Sequence, residues 1–250
     1  MCSRAFIATA EEALREGLIS MKDIDQACRR ILEAKYKIGL FKDPYKHCCM
    51  TDSEQKTRLF TPEHRQTARD FTAETFVLLK NQGDVLPLKK QGTIALIGPN
   101  AVASRSLLGT WCIAQPKPEQ YLSLREAMEQ AVQGRAQVLC SQGCNLTSSA
   151  RDLEGGDSQE IPIVDAAKAH DEAMDIARRS DVIVCAMGEG SNWSGESRSR
   201  TSLDLPDEQM TLLRALVSLG KPLVLLNFRG RPTVLDWESK HVPAILNVWF

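Results

Sequence analysis

The sequence predicts an α/β fold: a doubly wound, mostly parallel sheet, as in an α/β sandwich, preceded by helices. Five short apolar runs have the length of strands and occur at residues 93–98, 136–140, 181–188, 222–228 and 243–250. Helical patterns separate most of them, at residues 122–132, 164–179 and 206–219. Runs without polar interruption, such as Val182 to Met187, are typical of strands buried on both faces. Their alternation with helices indicates a parallel sheet.

Two helices are predicted within the first 45 residues. The segment from Ala5 to Glu16 is rich in Ala, Glu and Leu, and Gly17 follows it as a helix stop. A second helix is predicted from Ser20, a suitable N-cap with Asp23 three residues later, up to Gly39. Apolar residues recur along it at helical spacing and predict one apolar face: Ile24, Ala27, Cys28, Ile31 and Leu32.

A polar segment and a third helix follow. Residues 46–60 lack hydrophobic periodicity, so we expect a linker there. Thr61 and Pro62 form a cap and first-turn pair, and they predict a helix that continues to about Leu79.

Charge and hydropathy give no reason to expect nucleic acid or a membrane as partner. The 31 basic and 32 acidic side chains leave a net charge of -1. No apolar run approaches the roughly 18–20 residues that a membrane-spanning helix needs. The first residues also lack the apolar core and cleavage site of a secretion signal.

The eight cysteines fit no zinc-binding template, and we expect neither a metal nor an organic cofactor. Cys140 and Cys144 are four residues apart, with no second Cys or His pair in range. Cys28 and Cys185 lie in apolar surroundings, which predicts small buried thiols.

The chemistry is expected in the loops at the carboxyl ends of the strands, where parallel sheets bind their ligands. These are the loops after Gly98, Gly188 and Phe228, and the second is the richest in functional groups. Hydrolysis of a glycosidic bond needs a carboxylic acid that protonates the leaving oxygen. Glu196 is the candidate for that acid. The alternative at this point is a solvated loop with exposed ion pairs.

Two neighbours of Glu196 in this loop are candidate substrate-binding residues. Arg200 can orient the acid or bind sugar hydroxyls, and Trp193 can stack against a pyranose ring. In the loop after Gly98, Trp111 either lines a sugar-binding crevice or packs inside the domain.

The loop of residues 188–206 resembles the acid/base loop of glycoside hydrolase family 3, and most closely that of the periplasmic β-glucosidase type. The matching motifs are Gly188-Glu189, Ser194-Gly195-Glu196, Ser199-Arg200 and Leu203 to Pro206. Further segments resemble the same family in the same order: residues 29–35 with 39–45, 64–69, 77–81, 86–88, 97–99 with 109–111, 220–222 and 229–232.

The resemblance implies an α/β sandwich packed against a barrel, with the active site in the crevice between them. It implies that Glu196 is the acid/base and that Glu189 has a supporting, substrate-binding role. The family nucleophile is an aspartate in a Ser-Asp-Trp-like motif of the barrel. That motif is absent here, because Asp236-Trp237 lacks the preceding Ser, so no nucleophile is assigned.

The resemblance also implies how the chain is organised. Residues 1–45 would be the last helices of a truncated barrel, residues 46–60 a linker, and residues 61–250 the sandwich, itself truncated. The expected partners are a β-glucoside or oligosaccharide substrate and the missing barrel domain in cis. The parent protein would be periplasmic or secreted, and the isolated chain is expected to be inactive.

Two other classes of function are possible alternatives. A non-catalytic carbohydrate-binding or scaffold module would use Trp193, Trp111 and the arginines as a glycan platform. A nucleotide-binding domain is disfavoured, because no Gly-x-Gly-x-x-Gly motif follows a strand and opens a helix.

Overall fold

The computed structural model describes residues 4–46, 51–112, 120–148 and 161–249 and divides into two units, residues 1–69 and 70–250. The α-helices are α1 (Ala5–Arg15), α2 (Met21–Lys37), α3 (Asp52–Arg58), α4 (Pro62–Thr75), α5 (Pro99–Val102), α6 (Leu124–Val132), α7 (Ala166–Arg179), α8 (Asp207–Val217) and α9 (Asp236–His241). Short 3₁₀ turns occupy Arg105–Leu108 and Ser191–Trp193. The strands are β1 (Val77–Asn81), β2 (Gly92–Ile97), β3 (Ala136–Ser141), β4 (Val182–Gly188), β5 (Leu223–Phe228) and β6 (Ala244–Asn247).

The first unit contains the two predicted helices α1 and α2. The capping box of α2 is present: the Ser20 hydroxyl accepts from the Asp23 amide at 3.3 Å, and the Asp23 carboxylate accepts from the Ser20 amide at 2.9 Å. No residue of either helix is buried. The prediction that Cys28 is buried is therefore wrong, because it belongs to an apolar face of α2 that stays exposed in this structure.

Helix α3 lies within the segment that was predicted to be a linker. A capping box explains it: the Glu54 carboxylate accepts from the Thr51 amide at 2.9 Å, and the Thr51 hydroxyl accepts from the Glu54 amide at 3.3 Å. This Thr-x-x-Glu spacing is a helix-start signal that needs no hydrophobic periodicity.

The third predicted helix is shorter than expected. Helix α4 ends at Thr75, and residues 77–81 form β1, so the predicted last helical turn, up to about Leu79, is absent. This strand pairs antiparallel with β6, from Val77 opposite Asn247 to Asn81 opposite Ala244. A short apolar run does not distinguish helix from strand locally, so the long-range pairing decides the conformation.

The second unit confirms the predicted α/β sandwich. Its six described strands form one sheet in the order β1-β6-β5-β4-β2-β3. The pairs β3–β2, β2–β4, β4–β5 and β5–β6 are parallel. Of the described strands, only the edge strand β1 is antiparallel to its neighbour. Each of the five apolar runs predicted to be strands contains a strand, although β6 covers only Ala244–Asn247 of the run at residues 243–250.

Helices cover both faces of the sheet. Along β4, Ile183, Cys185 and Met187 belong to a core cluster shared with α7 and α8. Val184 and Ala186 point the other way, into a cluster shared with α5 and α6. This alternation follows the two-residue period of a strand, and it confirms that Cys185 is buried. In the described ranges, no helix has the length and apolar character needed to cross a bilayer.

Candidate active site at the carboxyl edge of the sheet

Three loops meet at the carboxyl ends of β2, β4 and β5, which are the loops predicted to carry the chemistry. The loop after β2 contributes Thr110, whose hydroxyl lies against the carbonyl oxygens of Ser191 and Ser194 in the loop after β4. The amide of Glu189 donates to the carbonyl of Phe228, the last residue of β5, at 2.8 Å. The loop that contains Glu196 is therefore held from both sides.

The start of this loop is fixed by a glycine and a buried glutamine. Gly188 has φ +138°, and a Cβ there would overlap the carbonyl oxygen of Phe228, so no other residue fits the close approach of β4 and β5. Gln209 of α8 accepts from the Gly188 amide at 2.8 Å and donates to its carbonyl at 2.9 Å. The Gln209 side-chain amide also donates to the carbonyl of Leu146 at 2.7 Å.

The structure places Glu196 at the surface of this edge. The residue is exposed and follows the 3₁₀ turn Ser191–Trp193 and Gly195. Its exposure shows that it is not buried in the domain interior. An acid that protonates a bound substrate needs this kind of access.

Glu189 has the opposite environment from Glu196. It is only 5% exposed, and its Oε1 lies 3.3 Å from Arg231 Nε and 3.7 Å from Arg200 Nε. Oε2 has no hydrogen-bond partner among the described residues. Two guanidinium groups thus neutralise one buried carboxylate, which suits Glu189 for holding the loop together.

Trp193 packs within the domain. The indole is 5% exposed and clusters with Ala103, Leu146 and Ile161. The Arg200 guanidinium carbon lies 4.3 Å from the ring centroid, which is cation–π geometry. The ring face under Arg200 is therefore not open to a sugar in this structure, in contrast to the stacking role considered from the sequence.

Trp111 is the open aromatic group near this edge. Its side chain is 67% exposed and it directly follows Thr110, so packing in the interior does not describe it. Of the two tryptophans considered for sugar stacking, Trp111 presents the accessible ring.

The sequence reasoning assigned no role to the arginines after β5. Arg231 Nη2 donates to the carbonyl of Trp193, in addition to its contact with Glu189. Arg229 is 1% exposed and donates from Nη2 to the side-chain oxygen of Asn227. Two arginines directly after a buried strand, at the edge expected to bind ligand, were the available signal.

Burial also shifts two pKa values in this region. It lowers the pKa of Arg229 to about 10, although the carboxylates of Glu189 and Glu238 favour its charged form. Arg229 therefore remains charged at neutral pH. Burial raises the pKa of Glu238, and the nearby Asp204 carboxylate acts in the same direction.

Asp236, the acidic residue of the Asp236-Trp237 pair, has an ion-pair partner on its own helix. Asp236 lies on α9, is exposed, and pairs with Lys240 Nζ at 2.9 Å. Within the described ranges, no group of three or more His, Cys, Asp and Glu side chains is placed to hold a metal ion.

Comparison with known proteins agrees with this fold. Residues 76–250 match the model of the glycosyl hydrolase family 3 C-terminal domain. The periplasmic β-glucosidase of Salmonella typhimurium is 36% identical over 242 residues, which is 95% of this chain and 32% of that protein. The β-xylosidase of Formosa agariphila is 31% identical over 235 residues, 92% of this chain and 30% of that protein.

A solved structure gives the same result. The β-glucosidase of Listeria innocua in complex with gluconolactone superposes with a TM-score of 0.75 at 28% identity, covering 100% of this chain and 31% of that protein. The chain therefore belongs to glycoside hydrolase family 3, and it contains the family's C-terminal α/β sandwich domain. It spans about a third of the length of these relatives.

Proposed function

We propose that this chain supplies the general acid/base of a retaining β-glycosidase and that Glu196 is the residue responsible. The observation that carries the proposal is the exposure of Glu196 at the carboxyl edge of the sheet, on a loop held by buried groups. Relatives named β-glucosidase and β-xylosidase support terminal β-linked glucose or xylose as the substrate class.

The proposed reaction has two steps. In the first, the Glu196 carboxyl group gives its proton to the glycosidic oxygen, while a barrel aspartate attacks the anomeric carbon and forms a covalent glycosyl intermediate. In the second, the Glu196 carboxylate takes a proton from water, which attacks the same carbon and restores the aspartate. Two inversions give net retention of configuration.

The remaining site residues have supporting roles in this proposal. Trp111 offers a ring face for a sugar on the leaving-group side. Arg200, in contact with Glu189 and Trp193, orders the loop that carries the acid. Glu189 and Trp193 are both buried, and they contribute by fixing the conformation of the loop that binds the substrate.

The nucleophile lies outside this chain in the proposal, so residues 1–250 alone are expected to be inactive. Residues 1–45 are interpreted as the last barrel helices, residues 46–60 as a connection and residues 61–250 as the sandwich. The exposed apolar face of α2 supports the first assignment, because such a face is normally covered by another domain. The periplasmic relative supports a periplasmic or secreted parent.

A carbohydrate-binding module without catalysis is the second candidate, favoured by the exposed ring of Trp111. Both functions predict sugar binding, and only the first predicts that Glu196 is needed for hydrolysis.

The test uses Glu196→Gln in a full-length protein that carries this chain together with its barrel domain. The acid assignment predicts a large loss of kcat/KM toward glycosides with poor leaving groups and a much smaller loss toward nitrophenyl glycosides, which need little protonation. Glu172→Gln, the same change at an exposed residue of α7, is the control. Wild-type activity of Glu196→Gln on both substrate types would remove Glu196 from the mechanism.

A further inference from the structure

The acid in this site needs to be positioned, because Glu196 lies in a loop rich in Gly and Ser and is exposed to solvent. A misplacement of about 1 Å in a reacting group costs about 10²-fold in rate. Groups that fix the loop backbone close to Glu196 therefore contribute to the chemistry without touching the substrate.

Arg231 ties two separate points of this loop to the end of β5. Its Nη2 donates to the carbonyl of Trp193, three residues before Glu196, and its Nε lies 3.3 Å from Glu189 Oε1. The side chain is mostly buried, so water screens these contacts only weakly. The planar guanidinium group hydrogen-bonds the Trp193 carbonyl through Nη2, while its Nε forms an ion pair with Glu189 that is not a hydrogen bond.

Thr110 holds the same loop from the side of β2. Its hydroxyl lies against the carbonyl oxygens of Ser191 and Ser194, and its single proton can be donated to one of them at a time. Its methyl group packs on Gly195, where φ is +133° and an added Cβ would lie 2.6 Å from Thr110 Cγ2. Gly195, the residue directly before Glu196, is thus in close contact with the Thr110 methyl group.

We propose that Arg231 and Thr110 are positioning residues for the acid, holding residues 189–195 from the two neighbouring strands so that Glu196 meets the leaving oxygen. This inference rests on the proposed function of Glu196, and it adds two residues that do not contact substrate.

The test compares Arg231→Met, Thr110→Val and Thr110→Ser with Glu196→Gln in the same full-length protein. The substrates are aryl β-D-glucosides with leaving groups from phenol to dinitrophenol, or the matching β-D-xylosides if the wild-type protein prefers them. Arg179→Met is the control, because Arg179 has an exposed ion pair with Asp175 at 2.8 Å on α7.

Positioning and general stability predict different results. Loss of positioning lowers kcat/KM for phenyl glycosides by up to about 100-fold and has little effect on dinitrophenyl glycosides, because only the poor leaving groups need a well-placed acid. A structural role lowers the amount of folded protein and so reduces all activities by one common factor. Thr110→Ser keeps the hydroxyl and is expected to retain most of the activity that Thr110→Val loses.

Each outcome decides the inference. An equal loss on all leaving groups, or no loss, in Arg231→Met overturns the role of Arg231. If Arg231→Met does not fold, the Thr110 pair decides: an equal loss or none in Thr110→Val overturns the inference, and a loss that grows with leaving-group pKa supports it. The proposed function fails separately if Glu196→Gln itself shows no dependence on the leaving group.

Discussion

Glu189 Oε1 lies 3.3 Å from Arg231 Nε, and both side chains are largely withdrawn from solvent at the carboxyl edge of the sheet. Arg200 Nε approaches the same oxygen at 3.7 Å. Removal of one partner from a buried ion pair leaves an uncompensated charge, whereas removal of both does not. This relationship predicts how the domain responds to single and double substitutions.

Glu189→Gln is expected to destabilise the chain by about 3–5 kcal/mol, because Arg231 and Arg200 lose their shared counter-ion. Glu189→Gln combined with Arg231→Met is expected to cost less than the sum of the two single changes. Urea unfolding of the four proteins measures the coupling, and Glu172→Gln is the exposed control. Simple additivity would contradict the account of this pair.

Gly188→Ala is expected to destabilise the domain more than Gly134→Ala does. Both glycines have positive φ, at +138° and +72°, so an alanine strains the backbone at each position. Nothing lies within 4 Å of an added Cβ at Gly134, and a left-handed alanine there costs about 1–2 kcal/mol. At Gly188 the added carbon meets the Phe228 carbonyl, so β4 and β5 must separate. Equal unfolding free energies for the two variants would show that the close approach is unimportant.

Glu238 predicts a dependence of stability on pH. Its pKa is raised above 4.5 by burial and by Asp204, against the lowering effects of its own backbone amide and of Arg229 and Arg214. The folded state therefore holds this proton more tightly than the unfolded state, and the contribution of Glu238 to the free energy of unfolding falls as pH rises above about 4.5. Glu238→Gln removes this titration.

We expect the wild-type chain to lose stability relative to Glu238→Gln between pH 4 and pH 7. Urea unfolding of both proteins at these two pH values gives the difference directly. The opposite outcome is a stability difference between the two proteins that stays constant with pH, or that changes in favour of the wild type at pH 7. Either result would show that burial does not destabilise the charged form of Glu238.

Thiol reactivity separates the exposed Cys28 of α2 from the buried Cys144 and Cys185 of the sandwich. Burial raises the pKa of Cys144 to about 12 and that of Cys140 to about 11, and raises that of Cys185 further. At pH 8 iodoacetamide should therefore modify Cys28 in the native chain, and Cys144 and Cys185 only after unfolding. Peptide mass spectrometry reads out each site. Rapid native modification of Cys185 would contradict the packing of β4.

The parallel core was predictable from the sequence, because apolar runs such as Val182 to Met187 are typical of strands that are buried on both faces. The sequence did not predict β1, since Val77 and Leu78 become a strand only through pairing with β6. It placed Glu196 in a loop at the carboxyl edge of the sheet, where the structure has it. It did not find the contacts of Arg231 and Thr110, because these depend on how loops after three different strands meet, and no local pattern encodes that.

Azide rescue of Glu196→Ala in the full-length protein tests the central claim most directly. Without its acid/base, the enzyme should form the glycosyl intermediate from a dinitrophenyl glycoside but hydrolyse it slowly, because water needs a general base. Azide needs no base, so we predict that it accelerates turnover of Glu196→Ala, leaves the wild type unchanged, and yields the β-glycosyl azide. Hydrolysis of poor and good substrates at the wild-type rate, with no effect of azide, would contradict the claim.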